Sequence, residues 1–228
     1  NGRGLQILSR DGKRFETVIA DKDITALHQS SDGKIWIGSG SFGAAWLQPQ
    51  DARADERAEN YTAHWIGGGQ LSSTWITGIA EGRAGEIWMA TYGGGLNIVS
   101  SNDGHVIQTI RLDNSAPGGL LYDDLKPLLR DRAGWLWIGT WGVGLQRVNT
   151  QNTAIRTLKH SAHRNAGLSY PDVSSILELQ DGRLLIGTSG NGIDIIDRQR
   201  GLVGAYRPAR PMRNDGKASS ETKSAGDE

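Results

Sequence analysis

The chain has 228 residues, no Cys, and 25 basic against 25 acidic side chains, for a formal net charge of zero. Disulfides, thiol nucleophiles and Cys-ligated metals are thereby excluded, and the balanced charge offers no field for nucleic acid or an anionic membrane. The 32 glycines, about twice ordinary usage, indicate many tight turns, and no apolar run approaches the ~20 residues of a membrane-spanning helix.

Taken from the N-terminus, Gly2-Arg-Gly-Leu-Gln-Ile-Leu8 matches the later Gly93-Gly-Gly-Leu-Asn-Ile-Val99. The chain therefore opens in the third strand of a four-stranded unit, whose outer strand follows at Phe15–Val18 after the Asp11-Gly12 turn. Residues 1–20 are read as the outer half of a preceding blade.

A repeat begins at Ile24. Its four copies start at Ile24, Ile76, Leu125 and Val173 and end at Ser39, Thr91, Thr140 and Thr188. Their turn glycines, Gly33, Gly85, Gly134 and Gly182, lie 52, 49 and 48 residues apart. A second glycine, at Gly43, Gly95, Gly144 and Gly192, always follows the Trp36, Trp88, Trp137 or Leu185 position by seven residues. Asp-Gly between apolar runs is a hairpin signal, because glycine accepts positive φ. Each repeat reads as four short strands, and four strands recurring at this period select a β-propeller.

The expected fold is all-β: four complete four-stranded blades plus half a blade, part of a larger propeller of the seven-bladed type. Blades are expected at about 21–70, 71–118, 119–167 and 168–207. The remaining 208–228 have no apolar residue beyond Ala after Met212 and read as a linker and disordered tail. Slim residues such as Thr25, Thr77 and Ser174 suit the innermost strand, where Pro127 also falls. Trp36, Trp88 and Trp137 on the second strands are expected to form the core between blades.

The string D/A-G-x-[IL]-W-[IM]-[GA]-[TS] followed by G-x-G-[LI] resembles the two-component regulator propeller repeat. It is carried by Asp32–Ser39, Ala84–Thr91, Ala133–Thr140 and Asp181–Thr188, with departures at Ala44-Ala45 and Leu185. The linker from Asn165 to Val173 is similar to that family's approach to a new blade. The resemblance implies a periplasmic sensor segment of a hybrid histidine kinase or GGDEF-type diguanylate cyclase. It implies no catalysis and no cofactor within this segment. Its partners would be a small molecule (saccharides included), the rest of the parent signalling protein, and a second copy as a homodimer.

Two motifs are set aside on chemistry. Gly38-Ser-Gly-Ser-Phe-Gly43 spells a dinucleotide fingerprint, but that motif needs a following helix and Ala44–Leu47 aligns with strands. The five His do not recur at one repeat position, and His160 with His163 supplies at most half a metal site.

The candidate site is positional. Asp23, Trp75, Asp124 and Asp172 each precede an innermost strand and are expected at one mouth of the channel. The turn after the second strand brings Tyr92 and Trp141 to the same face, beside Phe42 and Ser189, and linkers add Trp65, Tyr122 and Tyr170. Aromatics on loops of a rigid scaffold suit sugars or amphipathic ligands. The competing reading has each Asp satisfying its own turn. A propeller lyase or glycosidase is the alternative from the enzyme class, to be favoured by a His paired with an acid at that mouth. A plain interaction scaffold is the third.

Overall fold

A computed structural model describes residues 4–9, 11–49, 58–67, 69–113, 119–150, 155–161 and 167–207. The expected tail at 208–228 lies outside them, as do Asn165 and His163. A two-stranded sheet, β1 (Leu5–Leu8) with β2 (Phe15–Ile19), comes first. Four antiparallel sheets follow, each meandering in chain order. The first blade is β3 (Ile24–Gln29), β4 (Ile35–Ser39), β5 (Ala44–Pro49) and β6 (Tyr61–Trp65). The second is β7 (Ile76–Glu81), β8 (Glu86–Thr91), β9 (Leu96–Ser100) and β10 (Val106–Ile110). The third holds β11 (Leu125–Arg130), β12 (Trp135–Thr140), β13 (Leu145–Asn149) and β14 (Ile155–Leu158). The fourth holds β15 (Val173–Glu178), β16 (Leu184–Thr188), β17 (Gly192–Asp197) and β18 (Gly201–Tyr206). Among the described residues there is no α-helix, only a 3-10 turn at Ala58–Asn60. The chain is a run of propeller blades, and Gly38–Gly43 is a β4–β5 turn with no helix after it.

The first strands β3, β7, β11 and β15 are neighbours from blade to blade and so line the axis. Between blades lies the core. Trp36 and Ala44 of the first blade pack on Ile76, Ile79, Ile87 and Met89 of the second. Trp88, Leu96 and Ile98 meet Leu125, Leu136 and Ile138 of the third. Trp137 and Leu145 meet Val173, Leu184 and Ile186 of the fourth. The half blade covers the first through Leu5, Val18 and Ile19. Trp36 and Trp88 are 0% exposed and Trp137 3%, so the three tryptophans are the inter-blade core that the repeat predicts.

The turn between second and third strands ties one blade to the next. Gly95 (φ +72°) and Gly144 (φ +95°) adopt the left-handed region, where a side chain is strained. An added Cβ would also stand 2.4 Å from the Ile110 carbonyl oxygen or 2.5 Å from that of Leu158. Their N–H groups donate to Asp123 and Pro171, two residues ahead of the next blade. Gly4 does the same toward Lys22, which identifies β1–β2 as the outer half of a blade built like the others.

Every innermost pair carries an irregularity near its start, between Ile24 and Ala26, Ile76 and Gly78, Leu125 and Leu128, and Val173 and Ser175. Pro127 sits in the widest of these, where no ladder bond is needed. A bulge also re-aims the side chain it carries.

Candidate functional site

The second strand of each blade ends in Ser or Thr for a local reason. The hydroxyls of Thr91, Thr140 and Thr188 donate to the carbonyls of Gly95, Gly144 and Gly192 at 2.8, 2.6 and 2.9 Å. Phe42, Val143 and Asn191 donate their N–H groups back to Ser39, Thr140 and Thr188. The turn so fixed docks on the residue before the innermost strand. Gly40, Tyr92, Trp141 and Ser189 donate N–H to the carbonyls of Asp23, Trp75, Asp124 and Asp172 at 2.9–3.1 Å. The four predicted positions are therefore equivalent by backbone and lie at one end of the blades, with Tyr92 and Trp141.

Three of the predicted aromatics make a continuous row. The rings of Trp75 and Tyr92 are 4.8 Å apart, and Tyr92 meets Trp141 edge-on at 5.9 Å. They remain 45%, 39% and 50% exposed, so a large part of each side chain in the row is open to solvent. Lys126, the bulge residue of β11, extends it. Its Nζ lies 4.0 Å from the Trp141 ring centre and 2.6 Å from the Asp172 carboxylate. That pair is mostly shielded, which makes its attraction stronger than that of a surface pair. The row thus runs from Trp75 in the second blade to Asp172 at the fourth. Tyr122 and Asp124 border it, and the negative charge of Asp124 pushes the Tyr122 phenol above its ordinary value, with burial and the Asp124 hydrogen bond adding to it.

Other predicted residues stand apart. The Asp23 carboxylate accepts the hydroxyls of Ser41 at 2.7 Å and Ser39 at 2.9 Å within its own blade. Those bonds, Ser41's foremost, hold it below the usual carboxylate range. The ring of Tyr170 lies over Gly190, where an added Cβ would be 2.6 Å from it. Lys22 caps Phe42, 3.2 Å above the ring centre. Trp65 is not on a linker: it is the last residue of β6, paired with Ala45 and packed against the Ile37–Leu47 cluster. The carboxylates of Asp23 and Asp172 are each engaged, one by hydroxyls and one by Lys126.

Two features were not anticipated from the repeat. Lys126 stands where the other blades have Thr25, Thr77 and Ser174, and that substitution was the available signal. Asn97, Gln146 and Asp194, fully buried at one position of the third strand, accept the N–H groups of Ser72, Leu121 and Ser169 at 3.1, 3.4 and 2.8 Å. They pin the segment that leads into each blade, and hence the loop face. Ala45 holds that position in the first blade.

No group of three or more metal-ligating side chains occurs among the described residues. His160 contacts the Leu168 carbonyl through Nδ1 at 2.9 Å, His64 stacks on Trp46, and His105 pairs with Asp103. Aromatic faces beside a shielded ammonium–carboxylate pair can stack on apolar ring faces and donate or accept at their edge.

The family model described as two component regulator propeller matches residues 19–41. A comparison with curated proteins gives no significant match. Among solved structures, the extracellular domain of a putative hybrid two-component system from B. thetaiotaomicron superposes with a TM-score of 0.64 at 16% identity, covering 84% of this chain and 25% of its own. A second such domain from the same organism gives 0.60 at 25% identity, covering 80% and 25%. Virginiamycin B lyase from Staphylococcus aureus gives 0.64 at 17% identity, covering 92% and 64%. The chain spans about a quarter of the length of the two extracellular domains.

Proposed function

We propose that this propeller segment, which carries a two-component regulator propeller repeat, is an extracytoplasmic sensor region of a two-component-type signalling protein. It binds a small ligand on the loop face, along the row Trp75, Tyr92 and Trp141 with Lys126 and Asp172 at its end. The carrying observation is that this row crosses two blade junctions, so that one ligand touches three blades. Occupying it changes the relative stability of their packing, which is the only way a bound molecule shifts a conformational equilibrium. The similarity to extracellular domains of hybrid two-component systems supports the cellular setting, and the family repeat supports the class.

A lyase reading has one observation behind it, the shared fold with virginiamycin B lyase, a variant of which is catalytically inactive after a His-to-Ala change. Of the described histidines, His28 lies on β3 near Glu81, His64 stacks on Trp46 and His105 pairs with Asp103 in a turn. His160, at the loop-face end of the third blade, is held by the Leu168 carbonyl, with no carboxylate among the described residues in ion-pair range. That placement favours binding over elimination chemistry.

Thermal melts of the chain against oligosaccharides and amino acids test the reading. A binder should raise Tm, and the gain should vanish in Trp141→Ala and Lys126→Gln but persist in His105→Ala at the far end of the blades. A panel without any binder, or a gain indifferent to Trp141, would overturn it.

A further inference from the structure

The residues that face the next blade repeat, and one of them breaks the pattern. The third residue after the turn glycine is Trp46, Ile98, Arg147 and Ile195 in successive blades. Trp46 and Ile98 are buried in their junctions, at 9% and 3% exposed. In the third blade the same slot holds a guanidinium, which lies 4.8 Å from the Trp135 ring centre and 5.6 Å from that of Trp137. Directly across the β13–β14 ladder from Arg147 stands Arg156. Like charges opposite each other in a ladder are unfavourable, and among the described residues neither arginine has a carboxylate in ion-pair range.

Both arginines line a cleft of about 250 Å³ between the third and fourth blades, with Leu158, Ile196, Asp197 and Arg198. On the fourth-blade wall Arg198 already has its counter-charges, and Asp197 keeps its charge but is held in its own turn. Arg198 pairs with Asp131 at 3.0 Å and Glu178 at 2.5 Å. The Asp197 carboxylate accepts the N–H groups of Gln199 and Arg200, both at 2.8 Å. Among the described residues, Arg147 and Arg156 are therefore left without an ion-pair partner over a cleft whose wall is aliphatic at Leu158 and Ile196, with Asp197 its one carboxylate among the described lining. The turn that closes it, Asp197–Gly201, follows β17 at the end of the strands remote from the aromatic row.

We infer that this cleft is a second binding site, for a small molecule bearing an oxyanion group: sulfate, phosphate or carboxylate. Arg147 and Arg156 clamp the anion, since guanidinium donors match paired oxygen acceptors, and Leu158 with Ile196 takes the organic part. Because the ligand bridges two blades, it stabilises their junction. The site is independent of the loop face and stands or falls separately.

The test uses the whole chain in melts at matched ionic strength, with sodium chloride as reference. Sodium sulfate and phosphate form one arm. Glucose 6-phosphate against glucose forms the other and separates a carried anion from a free one. At about five times Kd, linkage predicts a rise in Tm of about 2–4 °C. Arg156→Gln should abolish the rise. Arg147→Ile, which restores the residue type of the other blades, should also abolish it while keeping or raising Tm in anion-free buffer. No rise beyond chloride in either arm would overturn the site. So would an Arg147→Ile protein that melts lower without anion yet keeps the full shift, because Arg147 would then be packing alone.

Discussion

A buried indole must place its N–H, and the blades solve this with the residue six positions before each tryptophan. Trp137 Nε1 donates to Asp131 at 2.6 Å, and Trp36 Nε1 donates to Ser30 at 3.2 Å. In the second blade that position is Gly82, where an added Cβ would lie 2.0 Å from Trp88 Nε1, and Glu86 accepts instead at 3.0 Å. In the fourth blade Leu185 replaces Trp and Leu179 replaces the acceptor. Core residue and partner thus change together. Asp131 does more than Ser30: it also accepts the N–H groups of Ala133 and Trp135 and pairs with Arg198. Asp131→Ala should cost about 3–5 kcal/mol, as for breaking a buried pair, and Ser30→Ala about 1–3 kcal/mol. Trp137→Ala should cost about 3–5 kcal/mol through the cavity it leaves. Denaturant melts measure all three; equal losses for Asp131→Ala and Ser30→Ala would contradict this division of labour.

At the scale of a single element, the turn after the second strand combines left-handed backbone, close approach to the outer strand and a bond to the next blade. Gly95→Ala meets all three demands at once and should cost about 2–4 kcal/mol by the usual size of such strain. Gly12→Ala, in a turn whose added Cβ meets nothing within 4 Å, should cost only about 1 kcal/mol.

This turn was legible in the sequence because glycine answers a backbone demand that recurs unchanged. The bulge beneath Lys126 was not, because register depends on how β11 meets its neighbours and leaves no residue signature. Nor were the clamps at Asn97, Gln146 and Asp194, three residue types for one task. Trp65 was misplaced for a related reason: an aromatic near Gly67-Gly68-Gly69 reads as loop until β6 is seen to pair with β5.

On β3, His28 illustrates the same dependence on neighbours. Burial lowers its pKa below the ordinary 6.5, and the negative charge of Glu81 only partly offsets that. The unfolded chain therefore binds a proton near pH 6.5 that the folded chain refuses until lower pH. Stability from this group is full above pH 6.5 and falls as pH drops through that value. Melts between about pH 5 and 7.5 should show the slope, and His28→Gln should flatten it below about pH 7. An unchanged slope would mean that another group titrates there.

At the scale of the whole molecule, each blade offers one face to its successor, and among the described residues none covers the face of the fourth. Ile193 is 37% exposed, whereas its counterparts Ala44, Leu96 and Leu145 are each 0% exposed. Leu177 and Tyr206 on the same blade are 57% and 64% exposed. A face of this composition has the chemistry of the three internal junctions and, among the described residues, no blade against it, so it is a surface that excludes water when it finds a match. The chain at high concentration should therefore self-associate through the fourth blade. Ile193→Asp combined with Leu177→Asp should suppress that association and leave stability within about 0.5 kcal/mol, the usual range for surface changes. Leu96→Asp, the same slot one junction inward from the third blade, should instead unfold the protein, because it places an unpaired carboxylate where water is absent. Light scattering over a concentration series, together with melts of the three proteins, reads both effects. Association that survives the double substitution would move the self-contact elsewhere, to the exposed Leu8 and Phe15 of the half blade.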